Sequence, residues 1–380
     1  NTIFAMNRIL ATLLFSPLLA AACADKPVCA YKSLCDSEAD AAATGLFEAL
    51  DRCASRGVML GHQDDLSYGV GWVDAGDGRS DVRDVTGDYP ALFGWDLGHL
   101  ELDSLRNLDG VPFDAMRRNM LSVDRMGGVN ALSWHPRNPL TGGDAWDVSS
   151  AAVVSSIISG GALHDRYMAW IDRLADFVLS LRRDDGSLAP VIFRPYHEMS
   201  GSWFWWGAEL CSDDDYKVLW RETIDRLRSR GVHNIVVAYS MADYADERQF
   251  AARYPGDDYV DIVGFDIYQY GSADEFLSQM KTKSGIARAF ADKHDKLWAI
   301  CECGYEGIPQ NDWFTAVLAE YACSTGCSHL LLWRNAHDRE GHFYASYPGH
   351  ASAEDMRRFA SRDDVLMLSD FKRIVQSAER

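Results

Sequence analysis

The chain is predicted to be an α/β protein folded as a single (β/α)8 TIM barrel, on three observations. Eight short apolar or β-branched runs recur along its 380 residues, amphipathic helical patterns lie between them, and most runs end in polar and aromatic residues. The runs are Val58–His62, Ala91–Asp96, Val129–His135, Pro190–His197, Asn234–Ser240, Val260–Tyr268, Leu297–Glu302 and His329–Arg334. Most are nearly continuous apolar strings, as parallel strands covered on both faces require. Strands that alternate with helices make a parallel sheet, and eight such units close into a barrel.

The helices carry their own signals. In His164–Arg183, residues Tyr167, Trp170, Ile171, Leu174, Phe177, Val178 and Leu181 fall at spacings of three and four, which makes one apolar stripe. The next helix is predicted to start at Ser212, with Asp213, Asp214 and Asp215 in its first turn. Serine caps the free amides there, and the acids suit the positive end of the helix dipole. Tyr216, Leu219, Thr223 and Leu227 face inward, and Gly231 ends the helix. The polar, Gly- and Pro-punctuated stretch Pro136–Gly161 is predicted to be a loop over the site. A doubly wound open sheet is the alternative fold, but no GxGxxG turn follows the first strand, which weakens a dinucleotide-binding version of it.

The chain divides into residues 1–22, an export signal; 23–40, an N-terminal segment; and 41–380, the barrel domain. Arg8 precedes the apolar run Ile9–Ala22, and Ala20, Ala21 and Ala22 lead into Cys23. A basic start, an apolar core and a small-residue end describe a secretory signal. Cys23 after the small residues resembles a bacterial lipoprotein site, so both a lipid anchor at Cys23 and simple cleavage after Ala22 stay open. The protein is expected to be exported: periplasmic, anchored to an outer membrane or secreted. With nine cysteines in an oxidising compartment, at least two disulfides are expected among the eight left after Cys23. The pairs Cys301/Cys303 and Cys323/Cys327 lack structural-zinc spacing.

A formal net charge of −19 repels phosphate backbones, so nucleic acid is excluded as a partner, while a neutral polymer is compatible. The 12 Trp and 16 Tyr suit sugar rings, whose C–H faces pack on aromatic rings.

In a (β/α)8 barrel the chemistry gathers at the C-terminal ends of the strands. Those ends read GHQDD (Gly61–Asp65), WDLGHLELD (Trp95–Asp103), SWHPRNP (Ser133–Pro139), FRPYHEMSGSWFWWG (Phe193–Gly207), GFDIYQY (Gly264–Tyr270), AICECGYEGIP (Ala299–Pro309) and LLLWRNAHD (Leu330–Asp338). Two carboxylates stand out. Glu198 follows strand four among Arg194, His197 and aromatic residues, and Glu302 interrupts the apolar strand seven. Strands four and seven lie across the barrel mouth from each other. Two acids so placed can protonate a leaving oxygen and attack an anomeric carbon. Glu306 is a second candidate on the strand-seven loop. A metal site from His62, Asp64, His135 and His197 lacks a tight ligand pattern, and the two-acid scheme needs neither metal nor cofactor.

The strand-four segment RPYHEMSGSWFWWG, together with CECGYEGIP on strand seven, resembles glycoside hydrolase family 26, a (β/α)8 family of retaining enzymes that mostly hydrolyse β-1,4-mannans. The resemblance spans essentially the whole chain after the signal. It implies Glu198 as general acid/base and Glu302 as nucleophile. His135, Arg194, His197, Trp203, Trp206, Tyr268 and Trp333 are then expected to bind substrate around them. The implied partner is β-mannan or a related polysaccharide, met by a monomer. A β-1,3-1,4-glucanase or β-xylanase on the same scaffold is the second reading, and a surface glycan-binding protein that has lost catalysis is the third.

Overall fold

In the computed structural model, residues 32–322 and 326–378 are described. The expected signal 1–22, Cys23, Cys29 and Cys323 lie outside them. Eight parallel strands form the barrel: β1 (Val58–Gln63), β2 (Leu92–Asp96), β3 (Val129–Trp134), β4 (Val191–Pro195), β5 (Ile235–Met241), β6 (Ile262–Tyr268), β7 (Leu297–Gly304) and β8 (His329–Leu332). Each pairs with its neighbour in chain order, and β8 pairs back onto β1 with Leu60 opposite Leu330, which closes the sheet. All eight coincide with the predicted runs to within a few residues. A short hairpin of Tyr68–Gly69 with Trp72–Val73, and a two-residue strand Val365–Leu366 beside β1, were not foreseen. Two-residue pairings are too short to show a period-two pattern.

Side chains alternate across each strand, so one chain builds two cores. Met59, Leu92, Val129, Ile192, Val236, Ile262, Ala299 and Leu331 fill the inside of the barrel. Val58, Leu60, Phe93, Leu132, Val191, Val237 and Val263 pack outward against the helices. The helix Ala41–Ala54 contributes Leu46, Phe47 and Leu50 to the inner core. It thereby seals one end of the barrel and leaves the other to the strand ends named above. Its N-cap is Asp40, whose Oδ1 accepts from the N–H of Ala43 at 2.8 Å.

The predicted apolar stripe is buried as one face of the helix His164–Leu179, which stops four residues short of the expected end. Leu181 is buried beyond it, where Arg182 and Leu188 bridge the next turn. The helix Asp213–Ser229 is capped by Ser212, whose Oγ accepts from the N–H of Asp215 at 3.0 Å. Gly231 then takes a left-handed φ of 82°. The loop after β3 carries the short helix Val153–Ile157. No helix among the described residues is long and apolar enough to cross a membrane.

The expected disulfides are not met. Cys35, Cys53, Cys211, Cys301 and Cys303 are free thiols. Once Cys23 is set aside, that leaves Cys29, Cys323 and Cys327, enough for one bridge at most. Topology is the reason: Cys301 lies in the inner core and Cys303 in the outer one, while Cys53 sits at the sealed end of the barrel.

Candidate active site

The chain reverses sharply after β4, and this reversal presents Glu198. Tyr196 and Glu198 both take left-handed backbone, with φ of 45° and 54°. Such conformations cost non-glycine residues on the order of 1–3 kcal/mol each and persist only where the surroundings enforce them. Here the Tyr196 hydroxyl bonds those of Tyr167 at 2.7 Å and Thr223 at 2.8 Å, and its carbonyl accepts from Tyr216 at 2.9 Å. The N–H of Glu198 donates to the Ser240 carbonyl at 2.8 Å. Trp203 completes the turn. Its ring lies so close to Gly201 that a Cβ there would meet it at 2.3 Å, and its Nε1 donates to Oε2 of Glu198 at 2.7 Å.

Glu302 reaches the same space by a different device. Phe265 pairs with Ile300, but Asp266 pairs with Glu302, so Cys301 is the extra residue of a β-bulge. A bulge re-aims the side chains beside it. Cys301 joins the inner core, and its neighbour Glu302 also points inward, to Arg194 and Tyr268.

Arg194 is buried and divides its guanidinium between two acids. Nη1 donates to Oδ2 of Asp266 at 2.9 Å, and Nη2 donates to Oε1 of Glu302. The Tyr268 hydroxyl donates to Oε2 of Glu302 at 2.6 Å. Asp266 also accepts from Ser240 Oγ at 2.6 Å. One oxygen from each of Glu198, Asp266 and Glu302 lies within 4.8 Å of the others. Arg194 supplies positive charge between Asp266 and Glu302, where a cation would otherwise serve.

The two glutamates live in opposite environments. Burial pushes the Glu198 carboxyl well above the usual range, and the charges of Asp266 and Glu302 add to that; the Trp203 bond and Arg194 oppose it. Glu302 instead receives a guanidinium and a phenol. Burial and the adjacent Glu302 keep the Tyr268 phenol protonated, so it remains a donor. One acid is thus arranged to hold a proton, while the other accepts from a guanidinium and a phenol.

A second chain of contacts reaches Glu302 from β2 and β3. Asp96 Oδ2 lies 2.6 Å from His135 Nδ1, and His135 Nε2 lies 3.1 Å from His197 Nε2. His197 Nε2 is 3.9 Å from Oε1 of Glu302. Burial, Arg194 and His135 hold His197 neutral. Burial also opposes charge on His135, but the Asp96 carboxylate outweighs it and raises its pKa. The shared proton therefore sits on His135, with His197 as acceptor.

The remaining predicted residues divide. Trp203 stays 42% exposed. Trp333 is half-buried over the inner core, with its backbone N–H donating to the Cys303 carbonyl at 3.0 Å. Trp206 is wholly buried: its Nε1 donates to the His197 carbonyl at 2.8 Å, and its ring stacks on Phe204 at 4.4 Å. It therefore supports the His197 backbone and offers no free face. Glu306 pairs with His342 at 2.6 Å, apart from the three-acid cluster. His62 pairs with Asp65 at 2.6 Å and joins no group with His135 and His197. Sequence reasoning missed Asp266, Asp96 and Trp146, whose ring stacks on His135 at 5.2 Å. Asp266 had a usable signal, since it lies two residues before Tyr268 in an apolar strand and so shares its face.

A (β/α)8 barrel with a proton-holding acid just after β4 and a second acid on β7, paired with an arginine and a tyrosine, defines a glycoside hydrolase of the two-carboxylate kind. The family model for glycosyl hydrolase family 26 matches residues 35–296. A GH26 beta-mannanase structure from Bacteroides ovatus superposes with a TM-score of 0.85 at 43% identity, covering 86% of this chain and 95% of that one. A modular endo-beta-1,4-mannanase from Cellulomonas fimi superposes at 0.80 with 32% identity, covering 89% of this chain and 78% of that one. A mannan endo-1,4-beta-mannosidase of Bifidobacterium adolescentis is 31% identical over 361 residues, covering 89% of this chain. This chain spans 36% of that relative's length, and 52% of a Thermothelomyces thermophilus enzyme of the same name. The chain belongs to glycosyl hydrolase family 26.

Proposed function

We propose that this protein is a retaining, endo-acting β-mannanase that cleaves β-1,4-mannosidic bonds in mannan, glucomannan or galactomannan. The observation that carries the mechanism is the close approach, within 4.8 Å, of Glu198, whose proton burial retains, and Glu302, which accepts from Arg194 and Tyr268. Close carboxyls suit double displacement, for which the two groups stand roughly 5–5.5 Å apart, and leave no room for the water of a single displacement. In the first step a Glu302 oxygen attacks the anomeric carbon, the glycosidic C–O bond breaks, and Glu198 delivers its proton to the departing oxygen. The negative charge of Glu302 is then consumed, so the pKa of Glu198 falls. In the second step Glu198 takes a proton from water, the water oxygen bonds to the anomeric carbon, and Glu302 departs as a carboxylate. His135, His197, Arg194 and Tyr268 hold the reacting sugar and the nucleophile in place.

The choice of mannan rests on the names of the relatives and is an inference by analogy. The apolar run before Cys23 supports an exported enzyme, either lipidated at Cys23 or cleaved after Ala22. Reducing-sugar release from mannan, glucomannan, barley β-glucan and xylan, run side by side, tests the substrate. Mannan or glucomannan should be hydrolysed fastest; an equal or higher rate on barley β-glucan overturns the choice.

A further inference from the structure

The two carbonyls that precede the acid are held from behind. The Trp206 indole N–H donates to the His197 carbonyl at 2.8 Å, and the Tyr216 hydroxyl donates to the Tyr196 carbonyl at 2.9 Å. A peptide unit is planar, so fixing its carbonyl fixes its orientation. These two bonds therefore set the left-handed reversal that presents Glu198. Both holders converge on one side chain. Arg253, from the segment between the helix Glu247–Ala251 and β6, is 3% exposed. Its Nη1 donates to the Trp206 carbonyl at 2.9 Å, and its guanidinium lies 5.2 Å from the centre of the Tyr216 ring. Nη1 also reaches Cys211 Sγ at 3.5 Å, and Nη2 donates to the carbonyls of Ala208 at 3.1 Å and Cys211 at 2.6 Å. Nε donates to Oδ1 of Asp213 at 2.9 Å. A guanidinium carries five N–H donors in a rigid fork, and here all five are taken up within residues 206–213. Asp213 is itself 54% exposed, so charge pairing contributes little to the burial of this cation. What the fork matches is the backbone of one loop. That loop folds back on the acid, because the Ala208 N–H donates to the Gly201 carbonyl at 2.8 Å and the Gly201 N–H to the Glu198 carbonyl at 2.9 Å.

We infer that Arg253 is a positioning residue for the reaction: it locks the loop after β4 so that Trp206 and Tyr216 hold the Glu198 carboxyl against the departing oxygen. This rests on the reading of Glu198 as the acid/base of a β-mannanase. Buried as it is, Arg253 acts through those two rings and not by contact with the sugar. A lysine there would keep the charge but could not span the same carbonyls, since an ammonium has three donors and no fork.

The test measures kcat/KM on two substrates in wild type, Arg253→Lys and Tyr216→Phe. A mannooligosaccharide needs the acid in its first step. Dinitrophenyl β-mannobioside has a leaving group that departs without a proton, so its first step does not. The ratio of the two values is unaffected by any inactive fraction of a preparation, so partial loss of fold cannot imitate loss of alignment. Displacing a catalytic group by about 1 Å can cost about 100-fold in rate. In Arg253→Lys the ratio of mannooligosaccharide to dinitrophenyl substrate should therefore fall by about 10- to 100-fold. Tyr216→Phe deletes only the hydroxyl that holds the Tyr196 carbonyl, and its ratio should fall about fivefold, the worth of about one hydrogen bond. It decides the matter alone if Arg253→Lys yields no folded protein. A wild-type ratio in Tyr216→Phe or in folded Arg253→Lys, including equal loss on both substrates, overturns the inference while leaving the β-mannanase reading intact. A wild-type protein that cleaves neither substrate overturns both.

Discussion

Trp203 donates its indole N–H to Oε2 of Glu198 across 2.7 Å, setting a donor against the carboxyl that has to carry the proton. A hydrogen bond to a carboxylate favours its ionised form. The contact therefore moderates the upward push that burial, Asp266 and Glu302 exert on Glu198. Trp203→Phe removes the donor and should raise the Glu198 pKa further. Activity is lost as pH rises through the pKa of the acid, so the basic limb of kcat against pH should move to higher pH. A limb that stays in place, or moves down, would show that the bond does not govern this proton.

Arg194 is the cation held between the buried Asp266 and Glu302, with Nη1 2.9 Å from Asp266 Oδ2. Removing one partner of a buried ion pair leaves uncompensated charge and costs about 3–5 kcal/mol. Arg194→Met should lose that much in urea unfolding and nearly all activity. Adding Asp266→Asn removes one of the two stranded charges, so the double variant should recover part of the stability without recovering the activity. Additive losses in the two variants would contradict this coupling.

The Asp96–His135 pair makes stability depend on pH. Burial disfavours charge on both, yet the pair's mutual attraction lowers the Asp96 pKa and raises that of His135. The lowered Asp96 contributes stability that is complete above its unfolded value, about 3.9, and lost as pH falls through the folded value. The raised His135 contributes stability that is complete below its unfolded value, about 6.5, and lost as pH rises through the folded value. The Tm difference between wild type and Asp96→Asn should therefore be greatest between about pH 4 and 6.5. A difference that does not vary with pH would point to packing alone.

The thiols make a prediction that the expected disulfides would have reversed. Burial pushes Cys53 and Cys301 up to about 12, and Cys303 is buried beside Glu302 on the same strand. A thiol that is neither exposed nor ionised does not react. Iodoacetamide should leave these three untouched in the native protein and label all three after denaturation. Any of the three recovered in a disulfide would contradict this.

The barrel was legible because its strands are buried on both faces and read as unbroken apolar runs, and because the helix after Ser212 announces itself with a cap and three acids. Glu198 and Glu302 were legible because each carries charge where its neighbours are apolar or aromatic. The network that sets their protonation was not. Asp266 and Asp96 meet Arg194 and His135 across 72 and 39 residues of chain. The inward turn of Glu302 depends on a bulge at Cys301, and a simple alternation would have put Glu302 on the opposite face from Cys301. Trp206 misled for a related reason. A tryptophan in an aromatic run looks the same whether it faces a sugar or, as here, the backbone of His197.

The most direct measurement is to trap the covalent intermediate with a 2-deoxy-2-fluoro-β-mannosyl or mannobiosyl fluoride and map the label by mass spectrometry. The fluorine at carbon 2 destabilises the oxocarbenium-like transition state of both steps, while the good leaving group lets the first proceed, so the glycosyl-enzyme accumulates. The label should sit on Glu302, and it should be absent in Glu302→Ala. A label on Glu306 or Asp266, or the absence of any label together with an inverted product from the natural substrate, would contradict the assignment of Glu302 as nucleophile and of Glu198 as its acid.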